Sequence, residues 1–338
     1  MTSGCPVPTD VPAGDPQVED QALPETMTAF RIHEFGASPQ LDRLPLPEAQ
    51  PDEVLVRLAA SVVGHHDLTI AGGTFVVRPS LPYIPGLEGA GHVARVGEGV
   101  DFERFAIGAA VRVYAGGLGA TRPGTWAEYV VAPERFVTPV PEALDPAVAA
   151  ACGSSALTAW TAAIGLGALQ PGERLGVTGA SGAVGSLVVQ LAALHGAKSI
   201  VAWVRTADRA RLLPPGVEHV AGDDPVEPVD LLVDTVGGPQ LARRLGAVRP
   251  GGRAVLVGYT AGEQVSFSLP DLMAADVSLL PLNMMRRRPP KGLEASLVDD
   301  FAADRLHVGI EAVQRHDVVD AIARLQGGAV SGRVVVRW

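Results

Sequence analysis

Leu175-Gly176-Val177-Thr178-Gly179-Ala180-Ser181-Gly182-Ala183-Val184-Gly185 carries an apolar run into three glycines at a GxxGxxG spacing and on into a long apolar stretch. The pattern predicts a strand over Leu175–Thr178, a tight turn, and a helix over Ala183–His195 ended by Gly196. A dinucleotide's pyrophosphate needs such a turn: glycines admit the backbone, and the free N–H groups and positive dipole end of the helix face the anion. Gly179, Ser181, Gly182, Ala183, Val184 and Gly185 are therefore the candidate cofactor-binding residues, with Gly185 giving close helix-to-strand packing. A plain strand-to-helix turn meets the same spacing, so the surroundings decide.

Those surroundings alternate. Strands are predicted at Ser199–Val204, Leu231–Asp234, Ala254–Val257 and Val277–Leu282. A helix over Pro239–Val248 is predicted to end before a Pro250-Gly251-Gly252 turn. Alternation of this kind builds a parallel sheet with crossover helices. Twenty residues past Gly185, where an NAD-selective site presents an acid to the ribose, the chain reads Val204-Arg205-Thr206. Arg205, Thr206 and Arg209 would hold a 2′-phosphate by charge-assisted hydrogen bonds, which points to NADPH. The competing assignment makes Thr206 a helix N-cap, Asp208 a first-turn acid and Arg209 a solvated surface residue.

Before about residue 140 the punctuation differs. Short strands are expected at Thr28–Phe35, Glu53–Ala60, His92–Val96, Ala110–Tyr114 and Trp126–Val131, between Gly and Pro clusters, which suggests an antiparallel, barrel-like unit. After the parallel part come two helical patterns, Gly292–Ala303 and Val318–Gln326, and a last strand, Gly332–Trp338. Residues 1–26 contain five prolines, five carboxylates and no Lys or Arg, so they are expected to form a disordered tail, with Met27 as an alternative start. The predicted division is a tail over 1–26, a substrate unit over 27–145 and 286–338, and a cofactor unit over 146–285.

Lys plus Arg number 27 against 37 Asp plus Glu, a formal charge of −10, so nucleic acid and acidic membrane surfaces are excluded as expected partners. No apolar stretch is long enough to span a bilayer and the N-terminus lacks a signal-peptide pattern, so a cytoplasmic location is expected. Cys5 and Cys152 are the two cysteines, too few for a disulfide framework or a four-cysteine zinc lobe.

From Met27 onward the chain resembles the medium-chain dehydrogenases/reductases, closest to the zinc-independent quinone oxidoreductase branch. Four motifs carry the resemblance, in order: Met27-Thr-Ala-Phe-Arg-Ile-His-Glu-Phe-Gly36, Leu81-Pro-Tyr-Ile-Pro-Gly-Leu-Glu-Gly-Ala-Gly-His-Val-Ala-Arg-Val-Gly-Glu-Gly-Val100, the Gly179–Gly185 loop and Ser331-Gly-Arg-Val-Val-Val336. It implies a GroES-like antiparallel β-barrel beside a Rossmann doubly wound parallel sheet, an α/β protein with its active site in the cleft between them. It also implies homodimers through an edge strand, for which Val277–Leu282 is the candidate. Thr158 would lie near the nicotinamide, and Val236, Gly258 and Tyr259 at the carboxyl ends of strands beside the cofactor. Arg333 falls at a position that reaches the cofactor in relatives, or else is a surface strand residue.

Zinc-dependent members carry a Cys where this chain has Gly64, in Gly64-His65-His66-Asp67, and a His where it has Leu87, in Gly86-Leu87-Glu88. Cys152 alone cannot supply three protein ligands, and His65 and His66, if extended, point to opposite sides, so no metal is expected. Without a Lewis acid, reduction of a conjugated carbonyl is favoured over alcohol oxidation. Hydride would pass to the β-carbon of a small α,β-unsaturated carbonyl or quinone, the small-molecule substrate. The Tyr that many quinone reductases place two residues after the Asp is Thr69 here, and their Asn at the Gly64 position is absent. His65, His66 and Thr69 are the candidate catalytic residues, against surface or packing roles for each. An enoyl-thioester reductase and a non-catalytic NADPH-binding protein are the alternatives; the run Arg286-Arg287-Arg288-Pro289-Pro290-Lys291 would attract a phosphate-bearing substrate such as a CoA thioester, or else is a solvated loop, the commoner role for such a run.

Overall fold

The computed structural model describes residues 23–222, 226–287 and 289–338. All but the end of the expected tail lies outside them, as does Arg288 of the basic run. Of the tail's last residues, Leu23 packs on a core and Thr26 already begins a strand.

Among the described residues, fifteen strands form three sheets. β1 (Thr26–Arg31) and β2 (Gln40–Pro45) make an antiparallel pair. β3 (Glu53–Val63), β4 (Glu88–Val96), β5 (Ala110–Tyr114), β6 (Tyr129–Pro133) and β7 (Val137–Pro139) belong to a second sheet. β8 (Arg174–Thr178), β9 (Ser199–Val204), β10 (Glu218–Ala221), β11 (Val229–Asp234), β12 (Val248–Leu256) and β13 (Ser278–Pro281) form the third. β14 (Ile310–Val313) and β15 (Arg333–Arg337) return to the second sheet, which runs β14-β15-β3-β4-β5-β7 with β6 also on β3. Every pairing in it is antiparallel except β14 with β15. Helices are α1 (His65–Ala71), α2 (Pro146–Ala151), α3 (Gly153–Trp160), α4 (Ala183–Leu194), α5 (Gln240–Leu245), α6 (Leu269–Ala275), α7 (Leu293–Ala302) and α8 (Val318–Gln326).

The third sheet is wholly parallel, in the order β10-β9-β8-β11-β12-β13. Its central strands are buried on both faces because helices cover each side, so they read as continuous apolar runs. From β8 the chain winds outward through β9 and β10, and from β11 outward the other way. The strand order therefore reverses between β8 and β11, and ligands of open α/β sheets bind at the carboxyl side of such a reversal.

Several expectations shift. The first strand ends at Arg31 rather than Phe35, with Ile32 bridging Tyr83, and the Trp126–Val131 strand begins at Tyr129. The Pro250-Gly251-Gly252 turn is instead a kink inside β12, with Gly251 at φ +74° and a register break opposite β11, so the helix before it shortens to α5. β15 pairs with β3 with Val334 opposite Val63, which brings Arg333 beside Gly64 across 269 residues of chain (333 minus 64).

Candidate active site

The glycine turn lies at the reversal point, and its three glycines do different work. Gly179 has φ +61°, and a Cβ on it would come within 2.5 Å of Thr235 Oγ1 and 2.7 Å of Val236 Cγ1, just past β11. A Cβ on Gly185 would lie 2.3 Å from the Gly179 carbonyl oxygen, so this position locks the helix onto the turn. Gly182 would meet only the Gly179 carbonyl, at 3.2 Å; it caps α4 in extended geometry with no side-chain cap. Gly182 is thus the glycine left open to a ligand, beside half-buried Ser181, Ala183 and Val184 at the α4 N-terminus, where unpaired N–H groups and the helix dipole favour an anion.

Beneath the turn, Thr178 Oγ1 donates to Asp234 Oδ1 at 2.7 Å, and accepts from the Thr235 amide at 2.9 Å. Asp234 Oδ2 accepts from the Gly237 amide at 2.8 Å. Burial raises the Asp234 pKa, opposed by these bonds. The network ties β8 to the loop after β11 and brings Gly179, Val236 and Gly258 together, since a Cβ on Gly258 would lie 2.2 Å from the Thr235 carbonyl oxygen. Tyr259 follows with its side chain exposed, and Thr158 is half-buried on α3.

At the end of β9, Thr206 holds the N-cap position of a 3₁₀ turn over Ala207–Leu212 but makes no side-chain cap bond. Arg209 is not a free surface side chain. Its Nη1 donates to the Val330 carbonyl at 3.2 Å and Ser331 Oγ at 2.7 Å, and its Nη2 to the Gly328 and Ala329 carbonyls at 2.8 and 3.3 Å. Arg205 spends one bond, from Nη2 to the Gly328 carbonyl at 2.6 Å, and remains exposed. Both arginines clamp the turn that leads into β15.

The second focus lies at the start of α1. His65 and His66 occupy the first helical turn rather than an extended segment, so they diverge by the helical step rather than by the strand alternation. Both are exposed, and the His66 ring meets Phe75 edge-on at 4.6 Å between centroids. Desolvation lowers the pKa of each, and for His65 the Arg333 charge adds to it. Thr69 Oγ1 donates to the His65 carbonyl at 2.9 Å, so its hydroxyl serves the helix.

Three residues absent from the sequence-based candidate set interact with Arg333, namely Asp67, Glu88 and Ser154, and a fourth, Tyr83, feels the charge of Asp67. Asp67 is fully enclosed and accepts from the Gly64 amide at 2.8 Å; burial pushes its carboxyl up to about 6, opposed by the Gly64 and Leu87 amides and by Arg333. Glu88, buried on β4, pairs with Arg333 Nη2 and accepts from Ser154 Oγ at 2.7 Å and the Ser154 amide at 3.1 Å. Tyr83 has a buried hydroxyl without a hydrogen-bond partner; desolvation first, then the Asp67 charge, raises its pKa. Asp67 and Glu88 close the Gly64-His65-His66-Asp67 and Gly86-Leu87-Glu88 motifs, so the signal was present, but their shared partner enters from the far end of the sequence.

Two family profiles match the chain: "Alcohol dehydrogenase GroES-like domain" over residues 50–142 and "Zinc-binding dehydrogenase" over residues 183–299. The chain is 30% identical over 248 residues to the quinone oxidoreductase of Sus scrofa, covering 69% of this chain and 73% of that one. It is 28% identical over 331 residues to a phenolphthiocerol/phthiocerol polyketide synthase subunit of Mycobacterium tuberculosis, a match that takes in 93% of this chain and 14% of that protein. A solved NAD-dependent alcohol dehydrogenase superposes with a TM-score of 0.83 at 26% identity, covering 92% of this chain and 100% of that one.

With a GroES-like sheet and a Rossmann-like parallel sheet meeting these matches, the chain belongs to the medium-chain dehydrogenase/reductase superfamily, in its quinone oxidoreductase-like branch. It is an oxidoreductase of that family. The zinc named by one profile finds no fitting donor set: Gly64 and Leu87 offer no ligand atoms from side chains, and the Cys152 thiol is buried against the Ala149 carbonyl oxygen, at 3.4 Å, with Arg112 and Glu294 near it. Among the described residues no group of three His, Cys, Asp or Glu could hold a metal ion. No helix among them is long and apolar enough to cross a membrane.

Proposed function

We propose that the chain reduces a small α,β-unsaturated carbonyl or quinone by hydride transfer from NADPH, with no metal in the reaction. The observation that carries this reading is the pairing of an intact glycine turn at the sheet's reversal point with a substrate-side cluster in which Gly64 and Leu87 leave no zinc ligands. When bound, the cofactor supplies the hydride. The chain's own residues do the rest. The Gly182 turn and the α4 N-terminus hold the pyrophosphate; Arg205 and Thr206, where an acid would select NADH, take the 2′-phosphate; and Val236 and Gly258 shape the floor. His65 and His66 stand exposed at the start of α1, in reach of solvent for proton delivery.

The test is direct. Purified protein, freed of metal by chelator, should oxidise NADPH in the presence of quinones and enones at an undiminished rate, and metal analysis should find no stoichiometric zinc. Loss of turnover on chelation, or no turnover with any such acceptor despite tight NADPH binding, would reject it. The similarity to part of a polyketide synthase over nearly the whole chain favours a second reading, reduction of an enoyl thioester, for which an acyl thioester outcompeting quinones is the expected signature. We further propose a homodimer through the edge strand β13, beside which Leu269 and Met273 of α6 are 68% and 78% exposed.

A further inference from the structure

A reductase that works without a metal needs a hydrogen-bond donor for the oxygen on which charge develops. The hydroxyls of the substrate-side cluster are committed elsewhere: Thr69 donates to the His65 carbonyl and Ser154 to Glu88. The chain has four tyrosines. Tyr83 keeps its hydroxyl buried without a partner, enclosed by protein. Tyr129 is buried with Met27, Ala29 and Trp126 in the core beneath β1, and Tyr259 stands 55% exposed past β12.

Tyr114 differs from all three. It ends β5, half-buried, and packs on the hydrophobic core to which α3, α4 and β8 contribute, so a residue of the GroES-like sheet lies against the Rossmann-like unit. Its register partner on β4 is Glu88, and cross-strand partners share a face. The Tyr114 ring therefore stands on the face where Glu88 accepts from Ser154, at the start of α3, with Thr158 one helical turn further along. Arg112, two residues back on the same face, fixes the ring. Its guanidinium lies 5.7 Å from the ring centroid, donates to Glu294 at 2.7 Å, and fills the space beside Gly153, where a Cβ would collide with Nη2. The Tyr114 hydroxyl itself forms no hydrogen bond among the described residues, although tyrosine hydroxyls in such settings usually have a partner.

We propose that Tyr114 is a catalytic residue whose hydroxyl donates a hydrogen bond to the substrate's carbonyl oxygen during reduction. The inference rests on the proposed reductase reading. As the β-carbon of an enone accepts the hydride, a C–H bond forms there, the C=C electron pair shifts toward the carbonyl carbon, and the C=O pair moves onto oxygen. The substrate gains two electrons and NADPH becomes NADP⁺; the enolate then takes its proton from water. Tyr114 stabilises the enolate oxygen without giving up its own proton. Burial raises its pKa, opposed by Arg112 and reinforced by Glu294, so the phenol stays neutral and remains a donor.

The experiment compares wild type with Tyr114→Phe, which removes one oxygen and leaves the ring. With an enone at saturating NADPH, kcat should fall about 10²-fold, the loss typical of removing one oxyanion donor. The NADPH dissociation constant, read by fluorescence, should stay within about twofold, because the lost bond is made only to the reacting substrate. The isotope effect on kcat with NADPH deuterated at C4 should grow, as hydride transfer becomes slower than product release. Wild-type kcat for Tyr114→Phe would overturn the proposal, as would a weakened NADPH affinity with wild-type kcat at saturation. Should Tyr114→Phe fail to fold, Tyr114→Met decides: a kcat lowered at least about tenfold with NADPH affinity retained supports the proposal, and wild-type kcat overturns it. Wild-type protein that oxidises NADPH with no enone or quinone would instead defeat the underlying reading, and this inference with it.

Discussion

Asp67 shows how a residue's chemistry follows from what encloses it. Its carboxyl titrates near 6 because burial disfavours the charged form more than the Gly64 and Leu87 amides and Arg333 favour it. An acid held above its unfolded value keeps its proton longer in the native state. The stability linked to it is therefore fully present below about pH 4 and is lost as pH rises through about 6, on the order of 3 kcal/mol. Urea unfolding of wild type and Asp67→Asn across about pH 4 to 7 should diverge by that amount; curves that stay parallel would reject the assignment. At the other focus, two arginines four residues apart are expected to differ. Arg205→Ala should weaken NADPH at least tenfold while leaving NADH within about twofold, as direct titration of both cofactors would reveal, because Arg205 spends only one bond on the Gly328 carbonyl. Arg209→Ala should cost stability, about 1 to 3 kcal/mol, since four carbonyl and hydroxyl contacts to residues 328–331 are lost.

Among the elements, the β8–α4 turn separates binding from folding within one motif. Gly182→Ala would put its methyl 3.2 Å from the Gly179 carbonyl oxygen, which asks the turn to give by a few tenths of an ångström, so the variant should lose far less stability than Gly185→Ala yet bind cofactor more weakly, because the added carbon would face the proposed pyrophosphate site. Gly185→Ala would drive a methyl to 2.3 Å from the Gly179 carbonyl oxygen and should lower the midpoint itself. Thermal unfolding with and without cofactor distinguishes the two, and equal destabilisation of both would count against the division of labour. Doubly buried strands such as β8, β9 and β11 were legible because burial on two faces writes an uninterrupted apolar run. β2, β7, β10 and β14 were not, at three to six residues each and with partly polar faces, since their strand character comes from the neighbours they pair with. The extended reading of His65 and His66 gave way to α1 for a related reason: a short helix opening at a glycine has no periodic apolar face from which to read it.

In the whole molecule, the exposed edge of β13 beside Leu269 and Met273 is the surface on which the proposed dimer depends. A Leu269→Asp/Met273→Asp double variant should sediment as a monomer where wild type sediments as a dimer, with NADPH affinity retained; a wild type that is already monomeric would remove the proposal. The sequence by itself determined the superfamily, the parallel sheet with its glycine turn, and the residues that stand at positions 64 and 87, because each is written in contiguous residues whose spacing is set by local backbone geometry. Only the tertiary structure decided that Arg333 would meet Glu88, Ser154 and Asp67, and that Arg205 and Arg209 would grip the turn ahead of it. Those interactions reach from 119 residues of chain, between Arg209 and Gly328, to 266, between Arg333 and Asp67 (328 minus 209, 333 minus 67). They follow from the register of β15 on β3 and the desolvation of charges brought together there, neither of which any local stretch of sequence encodes.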